Sequence, residues 1–183
     1  MRELLKNIPR KLDNSNIDNA IINYLELLKE LPLIIQANSV LEFLTELKRQ
    51  KINCGPYPNV TLFEAGNRIM TDLVILFGIK ELLNGKIPEL KFKEYIVEFG
   101  NENNNTNDIY ASNKNDILIG EAFNVASSFF QTKKSKSLKK MRGQHGHNNI
   151  LLLYNSDAIR NNYNPKIMKN EFHLPVELKV KSI

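Results

Sequence analysis

The chain has 183 residues, 42% of them hydrophobic, which is enough for one packed domain with an extension but not for two full domains. No stretch approaches 18 uninterrupted apolar residues, and the charged start MRELLKNIPRKLDN is unlike a secretory signal peptide. The one cysteine, Cys54, excludes an internal disulfide framework and a zinc site made of several cysteines. We therefore expect a cytoplasmic protein.

The basic residues are concentrated in one segment. The formal net charge is +5, and residues 133–142 contain six lysines and arginines but no acidic residue. Such a cluster favours a polyanionic partner such as nucleic acid. A solvent-exposed helix face would show the same pattern, so both interpretations stay open.

The first third of the chain is predicted to be helical. Apolar residues spaced three and four apart within residues 1–51 predict two helices, which Pro32 separates. The segment NCGPYPNV, residues 53–60, breaks this pattern and marks a candidate boundary. We therefore predict an N-terminal helical region, 1–55, packed on a core, 56–183.

The predicted core begins with a buried helix over residues 61–83, which ends at Asn84-Gly85. Three strands follow, over KFKEYIVEF, NDIYAS and DILIGEAFNV. A basic amphipathic helix over 129–141 then leads to the apolar strand NILLLY, and such a crossover implies a parallel strand pair. The later segment FHLPVELKV could return to the sheet edge. We predict an α/β fold, with a small mixed sheet flanked by helices.

Two carboxylates in the predicted sheet suggest a metal site. Glu121 interrupts an apolar strand, and a buried carboxylate is costly unless something compensates its charge. Asp108 opens the preceding strand, so a hairpin would bring both side chains to one end of the sheet. Mg²⁺ prefers such hard oxygen ligands. An exposed edge strand and ordinary turn chemistry are the alternative explanations. By alternation, Glu121 shares its face with Ile117, Ile119 and Phe123.

The succession VEFG, NDIYAS, ILIGEAF and a basic helix resembles the PD-(D/E)xK restriction-nuclease superfamily, roughly over residues 61–155. It is similar in particular to the cleavage domains of type IIS restriction enzymes. The resemblance implies that Asp108, Glu121 and the backbone carbonyl of Ala122 hold Mg²⁺, for which Mn²⁺ can substitute. It also implies that Glu64 is the acidic residue of the preceding helix.

Two positions depart from the family pattern. Asn107 stands where the family often has proline, and Phe123 stands where its catalytic lysine is expected. Another group must then activate water or stabilise the transition-state charge. A lysine that reaches the site from the following helix is a rearrangement known in this family. We predict Lys134 in this role, among the candidates Lys133, Lys134 and Lys136.

Further residues are candidates by type and position. His145 is a candidate general base, although with His147 it makes only a weak metal signature and an exposed loop is the alternative. Glu64 also fits a capping box with Thr61. Basic residues of the two helices are predicted to contact DNA phosphates: Arg68, Lys133, Lys136, Lys140 and Arg142.

The sequence therefore predicts a Mg²⁺-dependent DNA endonuclease. Because no base-reading element is recognisable in so short a chain, we expect the cleavage subunit of a heterodimeric type IIS restriction enzyme. It would act on double-stranded DNA, cut one strand and pair with a larger DNA-recognising subunit. The alternatives are a self-sufficient homodimeric type II restriction enzyme, a non-catalytic nucleic-acid-binding protein with a degenerate nuclease core, and a nuclease toxin.

Overall fold

The computed structural model describes residues 4–32, 34–100, 102, 105–160 and 163–178. None of the helices in these ranges has the length and apolarity needed to cross a membrane. Short 3₁₀ helices lie at Leu4–Asn7 and Ser156–Ala158. The α-helices are α1 (Ile17–Leu28), α2 (Val40–Arg49), α3 (Leu62–Leu83) and α4 (Ser127–Arg142). The strands are β1 (Lys11–Asp13), β2 (Lys51–Ile52), β3 (Val60–Thr61), β4 (Glu94–Val97), β5 (Ile109–Ser112), β6 (Ile117–Phe123), β7 (Asn149–Asn155) and β8 (Glu171–Val176).

Six strands form one mixed sheet in the order β1-β4-β5-β6-β7-β8, and β2 pairs with β3 in a separate two-stranded sheet. The pairs from β1 to β6 are antiparallel, whereas β6, β7 and β8 are parallel to one another. Helix α4 provides the crossover between β6 and β7, as a parallel pair requires. The fold is therefore mixed α/β.

Most of the predicted core elements are confirmed. The buried helix, the three successive strands, the basic helix and the parallel crossover all form, and β8 returns to the sheet edge. The two helices predicted on either side of Pro32 form as α1 and α2, but the N-terminal region is not purely helical as predicted, because β1 pairs there with β4 and β2 follows α2. Strands of two or three residues are too short to give an alternating pattern. Residues 1–3 and 179–180 of the predicted elements lie outside the described residues.

The sheet carries an apolar cluster on each face. Along β6, Leu118 and Ala122 belong to the larger cluster, which contains buried residues of α1 and α3, whereas Ile119 and Phe123 belong to the smaller one with α4. Because successive side chains of a strand alternate between faces, Glu121 lies on the α4 face. Helix α4 is therefore the element that can supply a partner for Glu121.

Candidate active site

Asp108 and Glu121 lie side by side at one end of the β5–β6 hairpin. Ile109 pairs with Gly120, so the residue before Ile109 and the residue after Gly120 are cross-strand neighbours. Both carboxylates line one open cavity of about 470 Å³, together with residues from α3, α4 and the β6–α4 connection. The predicted pair of acidic residues therefore meets at a cavity.

Asp108 is held by the neighbouring strand and is electrostatically coupled to Glu121. Its Oδ2 accepts a hydrogen bond of 2.9 Å from the backbone N–H of Ala122. Burial raises the pKa of Asp108 to about 6, and the negative charge of Glu121 acts in the same direction. The hydrogen bond from Ala122 and the charges of Lys140 and Lys133 oppose this rise. Two negative charges thus lie side by side, and a cation between them would lower their repulsion.

Glu121 is buried, and its charge is compensated by a lysine of α4. Lys140 Nζ lies 2.6 Å from Glu121 Oε1. Only 6% of Glu121 is exposed, so an unpaired charge there would cost several kcal/mol of folding free energy, on the order of 3–5. Lys140, expected from the sequence only to contact phosphate, therefore pairs directly with one of the two carboxylates.

The structure places Lys134, the predicted catalytic lysine, elsewhere. Its Nζ donates a hydrogen bond of 2.8 Å to Tyr163 Oη and lies 5.3 Å from the centre of that ring. Lys133 and Lys140 are seven positions apart, about two helical turns, and therefore share one face of α4. Lys134 is turned by roughly 100° from Lys133 and leaves that face. Lys134 was therefore the wrong choice, because its position around the helix axis directs it towards Tyr163 and away from the carboxylates.

The other predicted phosphate contacts differ in position. Lys133 and Arg68 line the cavity, and Lys133 Nζ lies 5.9 Å from the centre of the Phe123 ring. Lys136 is exposed on α4. Arg142 instead donates two hydrogen bonds, of 2.6 and 2.8 Å, to the buried carboxylate of Glu171. The guanidinium of Arg142 thus serves an internal ion pair.

Glu64 and His145 are not among the described residues that line the cavity. The backbone N–H of Glu64 donates to Thr61 Oγ1 over 3.1 Å, as expected for a helix N-cap. The carboxylate of Glu64 forms an ion pair with Arg68. His145 is exposed in the loop that follows α4. Glu64 therefore contributes to the cavity through Arg68, which it contacts.

The sequence did not single out three other buried acidic residues, Asp72, Glu98 and Glu171, of which Asp72 adjoins the cavity. Asp72 is fully buried in the middle of α3, beside the cavity-lining residue Thr71. A carboxylate within an apolar helix is the same signal that pointed to Glu121. Asp72 is the one charged residue in the apolar run TDLVILF, so the sequence contained the signal that could have identified it.

The residues present fit a hard divalent cation. Asp108 and Glu121 offer carboxylate oxygens, and Mg²⁺ is commonly held by one or two carboxylates while it keeps several waters. Within the described ranges, no group of three or more histidine, cysteine, aspartate or glutamate side chains could hold a metal ion. The donor set among the described residues is therefore too sparse for a closed structural site, but two carboxylates can hold a cation whose remaining ligands are waters.

No protein-family model matches this chain, and no curated protein or solved structure gives a significant match.

Proposed function

We propose that the protein is a Mg²⁺-dependent DNA endonuclease with a restriction-endonuclease-like core, which hydrolyses phosphodiester bonds. The observation that carries this proposal is that Asp108, immediately before β5, lies beside Glu121 of β6, which pairs with Lys140 of α4. Paired carboxylates with a nearby lysine combine metal ligation with a proton-transfer or charge-stabilising group. This is the chemistry that hydrolysis of a phosphodiester requires.

The order of elements supports the same proposal. An antiparallel run β4-β5-β6, then the crossover helix α4 and the parallel strand β7, agrees with what the resemblance to restriction nucleases implies. In that scheme the lysine missing at Phe123 is replaced by Lys140. Phe123 itself is 2% exposed and packs against Phe130 and Tyr154.

Asp108, Glu121 and the carbonyl of Ala122 would hold the cation. When bound, Mg²⁺ polarises the scissile phosphate and lowers the pKa of an attacking water. Asp108 also accepts the N–H of Ala122, which fixes the β6 backbone beside the carboxylates. Lys140 donates one of its three N–H groups to Glu121, so the other two can donate to a water or to a phosphate oxygen.

The cationic wall of the cavity supports a phosphate-bearing substrate. Arg68 comes from α3 and Lys133 from α4, and both line the cavity that contains the carboxylates. Cations on opposite walls can neutralise successive phosphates of one strand. We propose that these two residues, with exposed Lys136 on the same helix, contact the DNA backbone.

We further propose that the chain cuts one strand and works with a larger DNA-recognising subunit. The cavity contains a single carboxylate pair, which suits one strand at a time. A second copy of the chain is the alternative partner, and it would supply a second pair for the other strand. Strong salt-dependent DNA binding by the isolated chain would favour the homodimer, and negligible binding the cleavage subunit.

Metal binding and cleavage together test the proposal. Calorimetric titration with Mn²⁺ should show binding to the wild type and loss of binding in Asp108→Asn. The matched control is Asp18→Asn, because Asp18 is an exposed carboxylate that pairs with Lys80 on α1 and α3. On supercoiled plasmid with Mg²⁺, alone or with the partner subunit, Asp108→Asn should abolish nicking. Equal Mn²⁺ binding by wild type and Asp108→Asn would refute the proposed site.

A further inference from the structure

The buried carboxylate of Asp72 organises three segments that are distant in the sequence. Its Oδ2 accepts from Tyr24 Oη over 2.6 Å and also from Tyr57 Oη, while its Oδ1 accepts from the backbone N–H of Gly100 over 3.0 Å. Burial raises the pKa of Asp72 to about 7, which these donors oppose. An apolar side chain would fill the same space at a lower desolvation cost. The carboxylate therefore calls for an explanation beyond packing.

Tyr57 connects this carboxylate to the wall of the cavity. Its hydroxyl is bound to Asp72, and its ring centre lies 5.4 Å from the guanidinium carbon of Arg68. The ring also packs on the backbone of Gly100, where a Cβ would lie 2.7 Å from the ring atoms. Gly100 also has a φ of +59°. Glycine is therefore required there both for the close approach of Tyr57 and for the backbone conformation. Arg68 and Gly100 both line the cavity.

Tyr24 makes a comparable hydrogen bond but takes no part in the cavity. It lies in α1, is fully buried, and its ring centre is 5.9 Å from that of Phe99. The two tyrosines thus donate to the same carboxylate oxygen, and only Tyr57 stacks beneath Arg68. Tyr24 therefore serves as a control for the hydrogen bond to Asp72 alone, whereas Tyr57 also contacts Arg68.

We infer that Tyr57 and Asp72 are positioning residues, which hold Arg68 at the cavity wall as a preorganised phosphate-binding group. This inference rests on the proposed function for the identity of the ligand. The ring of Tyr57 supports one face of the guanidinium, and the carboxylate of Glu64 pairs with it at the helix surface. The planar group is then fixed before the substrate arrives, which reduces the entropy cost of binding. Asp72 fixes the Tyr57 ring through its hydroxyl.

The test compares matched tyrosine variants, since Asp72 variants could fail to fold. Tyr57→Phe and Tyr24→Phe each remove one hydrogen bond to Asp72, and Tyr57→Leu also removes the ring. The first readout is the ¹H–¹⁵N NMR signal of the Arg68 Nε–H group and its relaxation. The second is the affinity for a short DNA duplex, measured by fluorescence anisotropy at low salt with Ca²⁺ in place of Mg²⁺, and with the DNA-recognising subunit added if the chain alone does not bind.

We expect both Tyr57 variants to shift the Arg68 signal and increase its mobility, with the larger effect in Tyr57→Leu. Tyr24→Phe should lower the melting temperature about as much as Tyr57→Phe but leave the Arg68 signal in place. Duplex affinity should fall about tenfold in Tyr57→Leu, and little in Tyr24→Phe. Equal effects of Tyr57→Phe and Tyr24→Phe on Arg68, or none, would overturn the inference. That outcome is independent of Mn²⁺ binding and cleavage, which decide the proposed function.

Discussion

Lys140 Nζ lies 2.6 Å from Glu121 Oε1, so the cation beside the carboxylate pair is supplied by the crossover helix α4. The side chain of Glu121 is 8% exposed and that of Lys140 is 43% exposed. The ion pair therefore joins a buried carboxylate of the cavity to a partly exposed ammonium group. In the proposed function this ammonium group would contact a phosphate oxygen while it keeps its ion-pair partner.

Replacement of Lys140 should strongly slow cleavage, and it should also lower the free energy of unfolding, because it leaves the buried carboxylate of Glu121 without its partner. Lys140→Met keeps the aliphatic part of the side chain and removes the ammonium group. If this lysine stabilises charge in the transition state, the cleavage rate should fall on the order of 10²- to 10³-fold. Single-turnover cleavage at saturating enzyme measures this loss, and circular dichroism checks the fold.

The matched control for Lys140 is Lys114→Met. Lys114 is exposed in the turn between β5 and β6, at the opposite end of the hairpin from the carboxylates. It changes the net charge by the same amount, so it reports the general electrostatic effect on DNA binding. A loss of rate as large in Lys114→Met as in Lys140→Met would show that Lys140 acts only through net charge.

Arg142 is expected to contribute to stability and not to DNA binding. Its two hydrogen bonds to Glu171 lower the pKa of that carboxyl, which is 6% exposed. Arg142→Met should therefore reduce the free energy of unfolding by about 1–2 kcal/mol, less than for a fully buried pair, because the side chain of Arg142 is 40% exposed and solvent screens its charge. Lys136→Met, an exposed position on the same helix, should change it by less than about 0.5 kcal/mol. Urea denaturation measures both.

The pH dependence of the Arg142 effect has a definite sign. Because the pKa of Glu171 is lowered in the folded protein, the stability from this pair is present above the ordinary value of 4.5 and is lost as the pH falls below it. The difference between wild type and Arg142→Met should thus shrink in acid. A difference that stays constant from pH 7 to pH 3 would contradict the ion-pair explanation.

Local patterns were sufficient to predict the elements that carry the site. Alternation in β6 and the apolar run of β7 are properties of single segments, so both strands could be located from the sequence. The hairpin turn between β5 and β6 then places Asp108 near Glu121 without knowledge of the rest of the fold. These two residues were found because each needs only its immediate sequence neighbours to be placed.

The lysine and the buried network depend on packing that no single segment encodes. Lys134 and Lys140 lie on the same basic helix, and only the rotation of α4 against the sheet decides which of them meets Glu121. The contacts of Asp72 are made by residues 15, 28 and 48 positions away along the chain. Such contacts follow from tertiary structure and could not be predicted from spacing.

Two glycines of α3 should respond in opposite ways to alanine. At Gly78 a Cβ would lie 2.5 Å from Leu153 Cδ1, where α3 packs against β7. Gly78→Ala should therefore cost about 1–3 kcal/mol of stability, because the fully buried side chain of Leu153 must move within a packed core. At Gly66 nothing lies within 4 Å, so Gly66→Ala should gain about 0.5–1 kcal/mol from helix propensity. Thermal denaturation of both variants measures these changes in stability. A rise in melting temperature for Gly78→Ala would contradict the close approach of Gly78 to Leu153.

Asp108 should destabilise the metal-free protein at neutral pH. Folding raises its pKa from 3.8 to about 6, so the protonated side chain is the form that the folded state favours. The stability of the folded protein is therefore highest below about pH 4 and falls as the pH rises through 6. Asp108→Asn cannot ionise, and in EDTA it should exceed the wild type in stability at pH 8, by on the order of 1–3 kcal/mol, but not at pH 4. Calorimetry at the two pH values measures this difference.

Mg²⁺ should reverse the order of stability at pH 8, because a cation that binds only the folded wild type raises its melting temperature. Asp108→Asn should gain nothing from the ion, since it lacks one of the two carboxylates. Cleavage should fall in acid with a midpoint below the metal-free value of about 6, because bound Mg²⁺ favours the ionised form of Asp108 and protonation removes a metal ligand. An Asp108→Asn protein less stable than wild type in EDTA at pH 8 would mean that the carboxylate is there for packing, not for a cation.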